Sequence, residues 1–262
     1  IKELENPIKV IDNLEKLSDI FQNLDNILFD EKNYYNIQKM MIKSSFNFHI
    51  KNNESYRNYV ETFNFDHTIE DFDINDIPLI PSSFFKKENI DVKSLPNEEI
   101  IKNCTSSGTL GNLSIVPRDE DTLLNFYSSI SSVMSFIFDI ERSGNHKVFI
   151  LGPDTEEAGD LWFSYVLSSM ALSFQTEYFE RNGEFCFEEA YKKLNNAIQA
   201  GNEILIIGPP FRILELCEYI VKVNGNLALP GNSFVVSAGG WKNRQREAIP
   251  RPEYKSKVKS TF

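Results

Sequence analysis

Apolar residues in the first part of the chain recur at helical spacing. In DNLEKLSDIFQNLDNIL, residues 12–28, they return every three or four positions, which predicts an amphipathic helix. The segment 34–50, YYNIQKMMIKSSFNFHI, continues in the same style and is also predicted to be helical. Residues 66–98 are acidic and then interrupted by prolines, as in DIPLIPSSFFKK, which predicts an extended segment along the surface. Residues 1–98 are therefore predicted to form a helical region with an extended linker.

From about residue 100 the pattern changes to short apolar runs that alternate with longer amphipathic stretches. The short runs predict buried strands, and the longer stretches predict helices. Strands and helices that alternate in this way indicate parallel βαβ units, so residues 99–262 are predicted to form an α/β subdomain of the same large domain. The predicted strands are 99–106, 146–152, 173–179, 203–208 and 233–240, and the predicted helices are 119–138, 156–172, 187–201 and 210–225.

Composition limits the classes of partner. The 262 residues carry a formal net charge of -11, which argues against a nucleic acid because binding to a phosphate backbone needs a basic surface. A nucleotide stays possible, since one loop can hold its phosphates whatever the charge of the whole chain. No apolar run is long enough for a transmembrane helix, and the first residues lack the layout of a signal peptide.

Cysteine and histidine usage favours a reducing compartment and no metal site. Cys104, Cys186 and Cys217 lie far apart, so we expect free thiols in the core and a cytoplasmic location. The three histidines show no spacing typical of a zinc site, and no metal-ligating residues are predicted.

The densest group of small hydrogen-bonding residues lies in IIKNCTSSGTLGNLS, residues 100–114. Gly108 and Gly111 can adopt positive φ and leave room for a phosphate, while the neighbouring hydroxyl groups can donate hydrogen bonds to its oxygens. The segment lacks the lysine of a Walker A loop and is not a GxGxxG sequence. By itself this composition leaves two interpretations open, a nucleotide site and an ordinary turn.

Four motifs in order resemble the acyl-adenylate-forming superfamily, and most closely its LuxE-type acyl-protein synthetase branch. CTSSGTLGNLS, residues 104–114, looks like the superfamily's phosphate loop TSGTTGxPK. IPLIPSSFFK, residues 77–86, is similar to the proline-rich segment before that loop in the branch. EILIIGPPFRILEL, residues 203–216, resembles the strand, proline pair and helix that precede the adenine site. SFVVSAGGWK, residues 233–242, resembles the strand that ends in a double glycine, so the resemblance covers roughly residues 45–262.

The chain departs from the superfamily pattern in its loop and at its end. Leu110 replaces the usual second threonine, and Ser114 stands where the superfamily often has lysine, a change that is common in the acyl-protein branch. The superfamily's Tyr-Gly-x-x-Glu turn, ribose-binding aspartate and C-terminal domain with a catalytic lysine are not found before Phe262, nor is the acyl-accepting cysteine of LuxE-type enzymes. We therefore expect this chain to be the N-terminal part of an adenylate-forming large domain, with the catalytic residues beyond Phe262 and no turnover by this part alone.

The resemblance implies two nucleotide-binding segments and an acyl pocket. Trp162 and Phe163 also fit a core position, and the double glycine also fits a plain strand-end turn. The implied phosphate-binding residues are Thr105, Ser106, Ser107, Gly108, Thr109 and Gly111, the adenine-binding residues are Ala238, Gly239, Gly240, Trp241 and Lys242, and the acyl-pocket residues are Trp162, Phe163, Pro209 and Phe211.

The implied activity is that of an AMP-forming acyl-protein ligase. A fatty acid would be activated by ATP, with Mg²⁺ bridging the phosphates, and the acyl group would pass to a protein cysteine. The implied partners are the fatty acid and an acyl-acceptor or reductase protein. Two alternatives stay open: an acyl- or aryl-coenzyme A ligase of the same superfamily, and a non-catalytic domain that binds nucleotide or a partner. Leu110 favours the non-catalytic alternative, because it removes one hydroxyl group from the loop.

Overall fold

The computed structural model describes residues 31–67, 72–87, 91, 93–106, 113–138, 146–223 and 225–262. Two predictions lie outside these residues: the helix over 12–28, and the loop residues Ser107, Gly108, Thr109, Leu110 and Gly111. The chain groups into two compact units, residues 1–104 with 112–136 and residues 105–111 with 137–262. The functional division between residues 98 and 99 stays a prediction.

The first unit is mainly helical in its described part. Helix α1, Glu31–Asn52, confirms the helix predicted over 34–50. The second helix, α2, is capped by the preceding residue Asn53, whose buried side chain accepts a hydrogen bond from the Tyr56 backbone N–H at 2.8 Å. The elements of this unit are α1, α2 (Glu54–Glu61), 3-10 turns at Ile74–Asp76, Ser82–Lys86 and Asn97–Glu99, the paired strands β1 (Lys102–Thr105) and β2 (Ile115–Arg118), and α3 (Glu120–Phe138), whose last residues belong to the second unit.

The second unit is built on a five-stranded sheet with the order β5-β4-β3-β6-β7. Strands β4, β3, β6 and β7 are parallel, and β5 pairs antiparallel with β4. This arrangement confirms the predicted α/β class. The strands are β3 (His146–Pro153), β4 (Gln175–Arg181), β5 (Glu184–Phe185), β6 (Glu203–Gly208) and β7 (Phe234–Ser237), and the helices are α4 (Trp162–Ser168), α5 (Phe187–Gln199), α6 (Pro210–Lys222) and α7 (Arg251–Thr261).

The core of the second unit lies between the sheet and helices α5 and α6. Phe149 of β3 and Phe179 of β4 are fully buried there, with their rings stacked at a centroid distance of 5.8 Å. Leu205 and Ile207 of β6 are also buried and alternate with residues of this core, so both faces of the strand are covered. The helices contribute Ala190, Leu194, Ala197, Ile213, Leu216 and Ile220.

The helix predicted over residues 156–172 is shorter than expected. The Asp154 carboxylate accepts hydrogen bonds from the backbone N–H groups of Glu156 and Glu157, both at 3.0 Å, and so closes a turn. Gly159 then adopts φ +58, which is incompatible with a helix. Helix α4 consequently begins only at Trp162, and a 3-10 turn follows it at Ser169–Leu172.

Two of the three cysteines are in the core, as predicted. Cys104 and Cys217 are buried, and burial raises the pKa of the Cys217 thiol to about 11. The prediction for Cys186 is wrong, because this residue is only half-buried where β5 leads into α5. Within the described residues, no helix has the length and apolar composition needed to cross a membrane.

Gly208, at the end of β6, packs directly on Leu151 of β3. A Cβ atom at this position would lie 2.7 Å from Leu151 Cβ, so one of the two strands would have to shift. We expect Gly208→Ala to lower the free energy of unfolding by about 1–3 kcal/mol in urea denaturation. Gly152→Ala is the matched control, since its Cβ would meet Ile150 Cγ2 at an ordinary 3.7 Å. Equal effects of the two substitutions would contradict the packing described for this edge of the sheet.

Candidate functional site

The parallel strands of the second unit end together at one edge of the sheet. Strand β3 ends at Pro153, β6 at Gly208 and β7 at Ser237, and Gly208 and Ser237 are register partners. Open α/β sheets bind ligands outside the carboxyl ends of their strands. The segments that follow β6 and β7 contain seven of the described residues that the resemblance implies for binding.

The start of the predicted phosphate loop is fixed beside helix α4. The backbone N–H of Thr105 donates a hydrogen bond to the Asp160 carbonyl at 2.7 Å, and Thr105 forms a parallel bridge with Leu161. Thr105 is half-buried and Ser106 is exposed. Trp162 and Phe163 follow Leu161 directly, so Thr105 and two predicted acyl-pocket residues belong to one local arrangement.

The double glycine forms a turn that requires glycine at both positions. Gly239 has φ +83 and Gly240 has φ +65, a conformation that side chains rarely adopt. A Cβ on Gly239 would lie 2.6 Å from Phe163 Cζ, whereas a Cβ on Gly240 would meet nothing within 4 Å. The Phe163 ring therefore packs on the bare backbone of Gly239, which brings a predicted acyl residue and a predicted adenine residue together. Gly240 faces open space.

The turn is attached to the end of β6 on its other side. The backbone N–H of Ala238 donates a hydrogen bond to the Gly208 carbonyl at 3.0 Å. Pro209 follows Gly208 and is buried at the start of α6. The structure thus places Ala238, Gly239 and Pro209 at one edge, together with Phe163.

The remaining predicted residues surround this edge less closely. Trp162 is half-buried and stacks on Tyr165 at a centroid distance of 6.2 Å. Trp241 is half-buried and precedes the 3-10 turn Lys242–Glu247. The ring of Phe211 lies in the first turn of α6, where two guanidinium groups cover it.

An ion-pair cluster at the same edge was not found by sequence reasoning. Arg212 donates hydrogen bonds to Glu215 at 2.7 Å and to Glu180 at 3.2 Å, and Arg244 pairs with the other carboxylate oxygen of Glu215. The only sequence signal was the spacing of Arg212 and Glu215, which places both on one helix face. Nothing in the sequence pattern connects Arg244 or Glu180 to them.

A cavity of about 1010 Å³ lies in the first unit and contains none of the predicted site residues. Its walls include Phe48, Tyr56, Tyr59 and Phe84. Its charged lining residues are mostly acidic, which disfavours the phosphates of a nucleotide. These residues are Asp91, Lys93, Glu99, Asp119 and Asp121.

Comparison with solved structures identifies the fold. The chain superimposes on the crystal structure of an open conformation of 2-hydroxyisobutyryl-CoA ligase in complex with 2-HIB-AMP and CoA, with a TM-score of 0.57, 12% sequence identity, and coverage of 83% of this chain and 49% of the ligase. The chain therefore shares the α/β fold of the matching part of this ligase, in line with the predicted class.

The chain belongs to the acyl-protein synthetase LuxE family, which matches residues 9–262. The long-chain-fatty-acid–luciferin-component ligase of Vibrio harveyi is 31% identical over 224 residues, which cover 85% of this chain and 57% of that protein. The protein of the same name from Aliivibrio fischeri is 29% identical over 226 residues, or 86% of this chain and 58% of that protein. The chain thus spans a little over half the length of these two relatives.

Proposed function

We propose that the full-length protein activates a long-chain fatty acid with ATP and transfers the acyl group to a protein thiol. The observation that carries this proposal is the double-glycine turn at the carboxyl edge of the sheet, packed on Phe163 and attached to the end of β6. Membership of the acyl-protein synthetase family supports the reaction. The names of the two relatives support a long-chain fatty acid as the substrate.

The proposed first step forms an acyl-adenylate. A carboxylate oxygen of the fatty acid attacks the α-phosphorus of ATP, the bond to the bridging oxygen breaks, and pyrophosphate leaves. The loop from Thr105 to Gly111 would hold the phosphates with hydroxyl and backbone N–H donors. Residues 238–242 would receive the adenine, whose flat ring can approach the bare backbone of Gly240.

Magnesium is proposed as part of the substrate, bound to the phosphates of ATP. Among the described residues, no group of three His, Cys, Asp or Glu side chains is arranged to hold a metal ion. In this proposal the ion arrives with the nucleotide and neutralises part of the phosphate charge. A cytoplasmic location is part of the same proposal, supported by Cys104, Cys186 and Cys217, none of which forms a disulfide.

The acyl chain is proposed to lie against α4. Trp162 and Phe163 are half-buried and leave part of their apolar surface open, which suits an alkyl chain. Phe163 also contacts Gly239, so a chain bound along this ring would end next to the nucleotide. Pro209, which is buried, and Phe211, whose ring the two guanidinium groups cover, are proposed to support the pocket from the β6 side without open contact to the acyl chain.

The proposal is tested by ATP–pyrophosphate exchange on the full-length protein. We expect labelled pyrophosphate to enter ATP only when a long-chain fatty acid is present, because exchange requires reversible formation of acyl-AMP. Exchange that is absent with every fatty acid chain length would contradict the activation step.

In a second stage, a thiol-containing protein fraction and coenzyme A are offered separately as acceptors. Acyl transfer to coenzyme A alone would contradict the protein thiol as acceptor while leaving the activation step in place.

A further inference from the structure

Four charged side chains form a continuous cluster across the carboxyl edge of the sheet in the second unit. Glu180 lies near the end of β4, Arg212 and Glu215 lie in the first two turns of α6, and Arg244 follows β7. Glu215 is the centre of the cluster, since one carboxylate oxygen accepts from Arg212 at 2.7 Å and the other accepts from Arg244. The second Nη of Arg212 reaches Glu180 at 3.2 Å. The cluster therefore connects three segments that are distant in sequence.

The burial of the cluster distinguishes it from ordinary surface ion pairs. The side chain of Arg212 is 15% exposed, that of Glu215 is 25% exposed and that of Arg244 is 40% exposed. By comparison, the helix pair Lys192–Glu188 is 66% and 69% exposed. Partial burial weakens screening by water and salt, so removal of one member leaves its partner poorly compensated.

The Phe211 ring contacts both arginines, and the Arg212 guanidinium carbon also lies 4.8 Å from the centre of the Phe185 ring. The guanidinium carbon of Arg244 lies 4.9 Å from the centre of the Phe211 ring, and that of Arg212 lies 5.6 Å from it. A planar guanidinium group can stack on a ring and pair with a carboxylate at the same time, whereas a lysine ammonium has no plane to stack. Arg244 is therefore held by its contacts to Glu215 and Phe211, and it also lies 3.5 Å from the Glu247 carboxylate.

Arg244 is also the downstream anchor of the double-glycine turn. Its backbone N–H donates a hydrogen bond to the Trp241 carbonyl at 2.9 Å, directly after Gly240. The upstream anchor is the hydrogen bond from Ala238 to Gly208. Two consecutive glycines have unusually wide backbone freedom, so their conformation depends on how firmly the residues on either side are held.

We infer that Glu215, through Arg244, positions the double-glycine turn for the binding of an adenine nucleotide. Glu215 and Arg244 are both positioning residues. Glu215 acts on the turn by holding Arg244, and Arg244 acts on it through the backbone that follows Gly240. The inference rests on the proposed function for the identity of the ligand. Because the adenine is proposed to bind to the turn itself, loss of the anchor lowers the affinity for every ligand that contains adenosine by the same factor.

The test compares AMP and ATP binding by calorimetry in the unaltered protein, Arg244→Ala, Glu215→Gln and the double variant. We expect each single variant to lower the affinities for AMP and for ATP by the same factor, about tenfold. The double variant is expected to bind no more weakly than the weaker single variant, because both changes remove one anchor. Glu188→Gln, which removes the exposed pair on α5, is the matched control and is expected to change neither affinity.

Two outcomes would overturn the inference. If Arg244 contacted a phosphate directly, Arg244→Ala would weaken ATP more than AMP, and Glu215→Gln would strengthen binding by releasing the arginine. If the cluster served stability alone, the melting temperature of Glu215→Gln would fall while both affinities stayed within about twofold of the original.

Hydrogen exchange tests the positioning without any nucleotide. We expect the backbone amides of residues 238–244 to exchange faster in Glu215→Gln and Arg244→Ala than in the unaltered protein, with no change in Glu188→Gln. Unchanged exchange in this segment would overturn the inference. Faster exchange in a protein that binds neither AMP nor ATP would support the anchor and contradict the proposed function, so the two failures are distinguishable.

Discussion

Replacing Gly239 with leucine is expected to reduce both the stability of the second unit and its affinity for adenine nucleotides. The backbone at this position has φ +83, and a side chain held in such a conformation costs about 1–3 kcal/mol. The new Cβ would also lie within 2.6–2.8 Å of three Phe163 ring carbons, and overpacking of this kind costs about 1–3 kcal/mol more. Urea denaturation measures the loss of stability, and calorimetry with AMP and with pyrophosphate measures binding. AMP is expected to lose more affinity than pyrophosphate.

Three control variants separate the causes of this effect. Gly240→Ala has the same kind of backbone strain but no steric neighbour within 4 Å, so it reports the strain alone. Gly239→Ala is expected to lower the free energy of unfolding by less in a Phe163→Ala background than in the unaltered protein, because the ring against which the new Cβ packs is absent there. Equal destabilisation by Gly239→Ala with and without Phe163 would contradict the contact. Equal loss of AMP and pyrophosphate in Gly239→Leu would contradict the assignment of adenine to this turn.

Replacing Gly108 with valine is expected to abolish ATP binding while leaving the fold intact. We propose Gly108 as the centre of the phosphate loop, where a branched side chain would occupy the space that a phosphate needs and would hinder positive φ. Loss of one preorganised donor typically costs about 100- to 1000-fold in rate, so ATP–pyrophosphate exchange should fall at least to this extent. Calorimetry with ATP and thermal melting provide the two readouts.

The matched control for the loop is Gly231→Ala. A Cβ at Gly231 would meet nothing within 4 Å, and its φ is outside the positive region, so neither melting nor ATP affinity should change. If Gly108→Val bound ATP as tightly as the unaltered protein does, the proposed role of the loop in phosphate binding would be contradicted. A large drop in the melting temperature of Gly108→Val would instead show that its loss of ATP binding comes from a disturbed fold.

Strands β3 and β6 could be predicted most directly from the sequence because they are buried on both faces. EILIIG gives a continuous apolar run, and the structure places it inside the sheet as β6, between β3 and β7. Strand β5 could not be predicted, since a two-residue strand leaves no periodic pattern. Helix α7 was missed although Tyr254, Val258 and Phe262 recur every four residues and pack on the core. The reason is that Pro250 and Pro252 indicate a loop as readily as the first turn of a helix.

The sequence predicted the glycines of the candidate site but not their neighbours. The double glycine at a strand end suggested either a plain turn or a bare backbone beside an adenine, and the structure shows a turn in which both glycines have positive φ. Contact between Gly239 and Phe163 depends on how the segments after β3 and β7 are placed at the sheet edge, which local patterns do not encode. The same reason applies to the pairing of Arg244 with Glu215. Long-range pairs of this kind require the topology before they can be recognised.

Photolabelling with an azido-adenine analogue of ATP tests the central claim most directly. The claim is that an adenine nucleotide binds at the carboxyl edge of the sheet in the second unit, against residues 238–242. We expect ATP-competable label on the peptide that contains Gly239, Gly240 and Trp241, identified by mass spectrometry of the digested protein. Label that ATP displaces from the peptides lining the cavity of the first unit, within residues 44–100 and 116–125, would contradict the account. Label that ATP fails to displace from every peptide would contradict it as well.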